Sequence, residues 1–168
     1  MCGFTGSVST QPIDNSLIDE ANKCIECRGP DAKCFIEKKY DSYHLNFWFN
    51  RLSILDLSAE ANQPMYSKEF NTMVMFNGEI YNHAELRYDL QKLGLKFYTS
   101  HSDTETLLVG LSYYGIDFVD KLRGQFAIAF FDERKSELSL IRDRLGQKPL
   151  YYFLTGWVPM EHTIQLGA

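Results

Sequence analysis

The longest uninterrupted apolar run in the chain is six residues, Phe126–Phe131. A membrane-crossing helix needs about 20 apolar residues, so this sequence holds no helical span. A run this short, bounded by Gln125 and Asp132, suits a buried strand. Short segments of the same kind recur. The first dozen residues, 33–38, 43–49 and 72–76 read as strands, and so do 125–131, 137–142 and 149–154. In 43–49, Leu45, Phe47 and Phe49 alternate with His44, Asn46 and Trp48, the period of a pleated strand. The polar stretch 132–137, DERKSE, suits a hairpin. Asn77-Gly78 ends the 72–76 strand, and its commonest meaning is a turn.

Between these strands lie helical patterns with end signals. Asp14 or Asn15 can cap a helix carrying Leu17, Ile18, Ala21, Cys24 and Ile25, which Arg28-Gly29-Pro30-Asp31 stops. Asn82, with Glu85 three residues on, marks a second start, and Gly94 closes that helix. Ser102-Asp103-Thr104-Glu105 marks a third, with Leu107, Leu108, Leu111 and Tyr114 on one face and Gly115 at its end. Strands, then helices, then more strands, suggest antiparallel sheets with helices packed outside, an α+β architecture.

The 168 residues suit one domain, and 12 Phe, 10 Tyr and 2 Trp supply a core of real size. A net charge of −5 with scattered basic residues argues against nucleic-acid binding. The start, MCGFTGSVST, has neither the basic region nor the apolar stretch of a secretory signal. A cytoplasmic protein with reduced thiols is expected. Cys24 and Cys27 form a C-x-x-C, with Cys34 and His44 further on. No second C-x-x-C or H-x-x-x-H completes a metal set, so two or three partly buried thiols on a helix and the following strand are expected rather than a zinc site or a redox pair.

Cys2 follows the initiator methionine directly. Removal of Met1 leaves one residue carrying both a thiol and a free α-amine. An α-amine has a pKa of about 7.7–8.0, so a useful fraction is neutral near pH 7 and can act as general base. The thiol, with an ordinary pKa of about 8.5, gains from such a base. Acyl transfer also needs an oxyanion hole. The Asn77 side-chain amide and the unobstructed Gly78 N–H can both donate to a developing oxyanion, and losing one such donor raises a barrier by about 3–4 kcal/mol. A zwitterionic amino acid needs opposite charges at its other end. Arg51 can fork a carboxylate, while Glu79 and Asp103 can hold an ammonium. Arg51 alone would more often form a surface salt bridge, and Asp103 in a first helical turn would also favour the helix dipole.

Eight stretches carry a resemblance: MCGFTG, RGPD (28–31), RLSILDLS (51–58), QP (63–64), FNGEIYNHAELR (76–87), SDTETLL (102–108), LRGQFAIAFFD (122–132) and RDRLGQKPLYY (142–152). In these, and in their order, the chain resembles the N-terminal glutaminase domain of glutamine-hydrolysing asparagine synthetases, class II (N-terminal nucleophile) glutamine amidotransferases. The resemblance implies a four-layer αββα sandwich over residues 2–153. Residues 154–168 would be a tail, either disordered or the start of a synthetase domain. It further implies that Cys2 attacks the side-chain amide of glutamine while its α-amine manages protons, through a water. Asn77 and Gly78 would stabilise the oxyanion, Arg51 would bind the α-carboxylate, and Glu79 and Asp103 the α-ammonium.

Two positions depart from the family pattern, where His is usual before RGPD and before RLSI; here they are Cys27 and Asn50. The resembled enzymes also continue into a synthetase domain that binds ATP and Mg and accepts the ammonia. No pyrophosphatase loop is recognisable in this sequence, and Gly146-Gln147-Lys148 lacks the P-loop pattern. Glutamine hydrolysis without ligation is therefore expected, with no cofactor in this domain and a synthetase domain or subunit as partner. The face such a partner covers should expose apolar side chains around Leu150–Trp157. Two other readings are an N-terminal-nucleophile amidohydrolase of another substrate and a catalytically impaired module that binds glutamine for regulation.

Overall fold

The alternation in His44–Arg51 (β3) organises the first of two sheets. In a computed structural model, which describes residues 2–53, 59–154 and 166–167, β3 lies between Gly3–Ser9 (β1) and Ala32–Lys39 (β2), antiparallel to both. Its Leu45, Phe47 and Phe49 are buried together on one face. On the other face Trp48 stacks on Phe35 of β2, ring centroids 5.0 Å apart. The second sheet orders Met65–Ser67 (β4), Thr72–Ile80 (β5), Gly124–Asp132 (β6), Glu137–Arg142 (β7) and Leu166–Gly167 (β8). Neighbours in it are antiparallel except β7 and β8, which pair in parallel.

The two sheets face each other across a shared core. Phe47 and Phe49 of β3 meet Met73 and Met75 of β5 and Ala129 and Phe131 of β6. The opposite faces of β5 and β6 present Val74, Phe76, Ile128 and Phe130 to a second core. That core is closed by His83–Lys92 (α2) and Asp103–Tyr114 (α3), through Leu86, Leu90, Leu107 and Leu111. Because both faces of β5 and β6 are covered, their sequences read as near-continuous apolar runs, although they are antiparallel. Asn15–Ile25 (α1) covers the outer side of β1. The approach is close enough that a Cβ on Gly3 would come within 3.2 Å of the Ile25 Cβ. The layers therefore run helix pair, five-stranded sheet, three-stranded sheet, helix, which is the αββα order.

Helix ends follow the expected logic in part. Asp14 caps α1 by accepting from Ser16 N–H at 2.9 Å, and Ser102 caps α3 by accepting from Glu105 N–H at 3.3 Å. The Glu105 carboxylate does not reciprocate. It accepts instead from Tyr98 and Thr99 N–H and pairs with the buried Arg87, tying the preceding loop and α2 to α3. Asn82 does not cap α2 with its side chain. The amide spans the start of β6, donating to Lys121 O and accepting from Arg123 N–H.

Two strand expectations need correction. Asn77-Gly78 is no turn, because β5 runs on through it to Ile80, paired with Gly124–Ala127 of β6. A neighbour strand that continues past the apolar run outweighs the local turn preference. Gly78 is needed there for space: a Cβ would lie 2.0 Å from Gln125 O. Residues 149–154 form no strand. Tyr151, Tyr152, Phe153 and Leu154 are all exposed, whichever side of the chain they occupy, so no sheet face claims them. The expected apolar exposure around Leu150–Trp157 holds for 151–154, while 155–157 lie outside the described residues, as does most of 154–168.

Candidate active site

The start of β1 and the end of β3 are brought together at one end of the sandwich by the turn at Arg28–Asp31. Gly29 packs so tightly on β3 that a Cβ would sit 2.2 Å from Asn50 O. This fixes Arg28 to donate from Nε to Cys2 O at 3.1 Å. Asp31 grips the other side, its N–H donating to Arg51 O at 3.0 Å and its carboxylate accepting from Ser53 N–H at 2.7 Å. The start of β1 and the end of β3 are thereby locked together. The Cys2 thiol lies against Leu52, accepting from its N–H at 3.4 Å and reaching its carbonyl at 3.5 Å. Arg51, buried at the end of β3, donates from Nη1 to Asn62 Oδ1 at 2.7 Å.

The opposing wall comes from the far end of β5 and the first turn of α3. Asn77 is buried, Gly78 half-buried and Glu79 exposed at the strand's end. Asp103, buried in the first turn of α3, accepts from Ile80 N–H at 3.2 Å. Burial raises the Asp103 carboxyl above its ordinary value, and Glu79 adds to this, against the N–H groups of Ile80 and Thr104 and the nearby His83. A buried carboxyl of raised pKa is poised to gain from a cation placed against it.

Cys2, Arg51, Asn77, Gly78, Glu79 and Asp103, the six residues singled out from sequence, all line one cavity of about 180 Å³. Drug-sized pockets run to roughly 300–1,000 Å³, so this one suits a metabolite of a few heavy atoms. A thiol and a buried amide stand on its walls together with an arginine and two carboxyls. Such a set can hold a zwitterion and present a nucleophile to it. Among the described residues, no group of three or more His, Cys, Asp or Glu comes together. Cys24 and Cys27 are exposed and free, not partly buried as expected, because α1 and the turn after it direct these side chains to the outer surface; Cys34 is half-buried.

Further residues line the cavity that spacing rules alone do not single out. Gln63 accepts from Phe76 N–H at 2.6 Å and donates to Thr104 Oγ1 at 3.3 Å, stitching its loop to β5 and α3. Gln125 and Lys148 complete the rim. Lys148 is delivered by a loop wound about Asp143, which accepts from the N–H groups of Phe126, Gln147 and Lys148. Burial pushes the Asp143 carboxyl up, but those N–H donors, with Leu145, outweigh it and hold it below its ordinary value. All of these lie within the QP, LRGQ and RDRLGQKP stretches, so the signal was present as motif and absent as chemistry.

Residues 1–162 match the family model of the glutamine amidotransferase domain. The chain is 38% identical over 157 residues to asparagine synthetase [glutamine-hydrolyzing] 1 of Bacillus subtilis, covering 90% of this chain and 24% of that protein. A putative asparagine synthetase [glutamine-hydrolyzing] 2 of Methanocaldococcus jannaschii is 33% identical over 171 residues, covering 93% of this chain and 32% of the relative. The amidase chry2 of Gibberella zeae is 32% identical over 164 residues, covering 90% and 24%. The chain thus spans about a quarter to a third of the length of these relatives. The match to the family model over nearly the whole chain places it: this chain belongs to the glutamine amidotransferase domain family.

Proposed function

We propose that this chain hydrolyses the side-chain amide of glutamine to glutamate and ammonia, as the glutaminase part of an asparagine-synthetase-like amidotransferase. The observation that carries the reading is the shared cavity of Cys2, Arg51, Asn77, Gly78, Glu79 and Asp103. Arg51 takes the α-carboxylate, and Asp103 with Glu79 takes the α-ammonium, so the side-chain amide is turned toward Cys2. With Met1 removed, the Cys2 α-amine accepts the thiol proton, through a water, as sulfur attacks the amide carbon. The Asn77 amide and the Gly78 N–H donate to the oxyanion that forms. Collapse breaks the C–N bond, and the leaving nitrogen takes the proton and departs as ammonia. Water, deprotonated by the same amine, then cleaves the thioester to glutamate and restores the thiol.

This half-reaction consumes only glutamine and water, so it calls for no ATP and no metal. The ammonia acceptor belongs to a synthetase domain or subunit. Two relatives named as amidases match 90% of this chain as the asparagine synthetases do, so these residues alone do not point to one acceptor. Free cysteines and a thiol nucleophile suit the reducing cytoplasm. No helix among the described residues is long and apolar enough to cross a membrane.

The test is glutamate release from glutamine by the purified chain, with Cys2→Ala alongside. Release is expected from the parent and loss of more than about a thousandfold from the variant. Full activity in Cys2→Ala, or in chains that mass spectrometry shows to retain Met1, overturns the mechanism. Glutamine binding without turnover in calorimetry would select the regulatory module instead. Hydrolysis of other amides but not glutamine would select another amidohydrolase.

A further inference from the structure

We infer that Asn62 is a positioning residue for the substrate carboxylate. It acts by holding the Arg51 guanidinium in place with a neutral acceptor. This rests on the proposed carboxylate-binding role of Arg51. Asn62 Oδ1 accepts from Arg51 Nη1 at 2.7 Å, a short contact for a charge-assisted hydrogen bond. An arginine side chain has several rotatable bonds, and one fixed N–H removes much of that freedom before the ligand arrives.

Asn62 is itself held firmly. It stands between the short 3-10 turn Ala59–Ala61 and Gln63. Gln63 is buried and bonded at both ends of its amide, to Phe76 N–H and Thr104 Oγ1. Asn62 therefore presents its oxygen from a backbone fixed to both β5 and α3. A chain of contacts runs from the wall that carries Asp103 to the arginine on the wall that carries Cys2. The two charged ends of a bound amino acid are thereby set at a defined separation.

The chemistry of the acceptor matters as much as its position. An amide oxygen takes one N–H and brings no charge of its own. A carboxylate at the same place would attract the guanidinium more strongly and compete with the substrate carboxylate for it. Asn62→Ala should therefore loosen Arg51, while Asn62→Asp should hold it and weaken its grip on an anion. Asp is the nearly isosteric variant, so a role limited to packing predicts that it is the milder of the two. Positioning with a neutral acceptor predicts the reverse.

The experiment compares wild type, Asn62→Ala, Asn62→Asp and Arg51→Ala in glutamate release. The substrates are glutamine and glutamine α-amide, which lacks the carboxylate. Calorimetric binding of glutamine to each in the Cys2→Ala background gives an affinity that needs no turnover. For Asn62→Ala the expected result is a glutamine KM raised about five- to twentyfold with kcat within about twofold, the loss of one charged hydrogen bond. Asn62→Asp should raise it further, and neither variant should change KM for the α-amide. Thermal melting of each variant reports folding. An unchanged glutamine KM and affinity in Asn62→Ala, or equal penalties on both substrates, overturns the inference while leaving Arg51 untouched. Arg51→Ala with equal penalties on both substrates removes the carboxylate-binding reading itself. A wild-type chain that neither binds nor hydrolyses glutamine removes the proposed function and this inference together.

Discussion

Two helices flank the site at comparable length and opposite burial. α3 has ten of its twelve residues buried, whereas none of the described side chains of α1 is. Yet α1 has the cleaner amphipathic pattern in sequence, and α3 is apolar or small nearly all round. An amphipathic stripe shows which face a helix can offer, not how much of it is covered. Of the α1 stripe, Leu17 and Cys24 are exposed, Ala21 and Ile25 are half-buried, and Ile25 packs against Gly3 of β1. α3 lies between the five-stranded sheet, α2 and the turn Gly115–Lys121, where Phe118 fits against Gly110 so closely that a Cβ there would overlap its ring at 2.1 Å. The wall that carries Asn77, Gly78, Glu79 and Asp103 is thus built on a thick core. The wall that carries Cys2 and Arg51 has the shared core on its inner side, and its outer side is held by α1 and the hydrogen bonds of the Arg28–Asp31 turn.

The comparison is broken most easily by leucine truncation. Leu107, 1% exposed in α3, should cost about 2–5 kcal/mol on replacement by alanine. Leu17, 59% exposed in α1, should cost no more than about 0.5 kcal/mol. Denaturant unfolding at constant m-value measures both. Similar losses would mean that α1 is covered in a way its exposure denies.

A smaller effect should separate stability from function on the thin wall. Arg28→Ala removes the donor to Cys2 O and frees the residue that carries the nucleophile. A kcat for glutaminase lowered about five- to thirtyfold is expected, the equivalent of one charged hydrogen bond, with little change in unfolding midpoint because Arg28 is only half-buried. Loss of stability with kcat preserved would reverse the assignment and make the Arg28–Asp31 turn a scaffold for the fold.

Much of this was legible in advance, and the failures have a pattern. The six candidate residues were each ambiguous alone; the set of a nucleophile beside its own base, oxyanion donors and opposite charges, carried by stretches in a family's order, singled them out, and they do line one cavity. The strands 43–49, 125–131 and 137–142 were legible because sheet burial imposes period two or a continuous apolar run. Asn77-Gly78 was misread as a turn because its local preference is strong, while the pairing with β6 that overrides it is a long-range fact. Residues 149–154 were misread because an apolar run does not say what covers it. Asn62 left no trace in spacing. Its role depends on a contact with Arg51 across 11 positions, and nothing local in an asparagine distinguishes that from a turn.

The thick wall holds one group that works against stability, and its effect should be the smallest of those considered. Asp103 keeps its proton to higher pH in the folded chain than in the unfolded one, chiefly through burial. The native state therefore binds more protons than the unfolded state between the ordinary aspartate value of about 3.9 and the raised one. Stability must fall as pH rises through that window. Asparagine at the position does not titrate, so Asp103→Asn should gain on the parent across the window and hold a constant lead above it. Denaturant unfolding at a series of pH values, without glutamine, measures the lead. Glutamine should shrink it, because an ammonium against Asp103 favours the ionised form in the parent and gains nothing comparable from the amide. A lead that glutamine leaves unchanged would mean that the buried carboxyl serves the thick wall alone and does not meet the substrate.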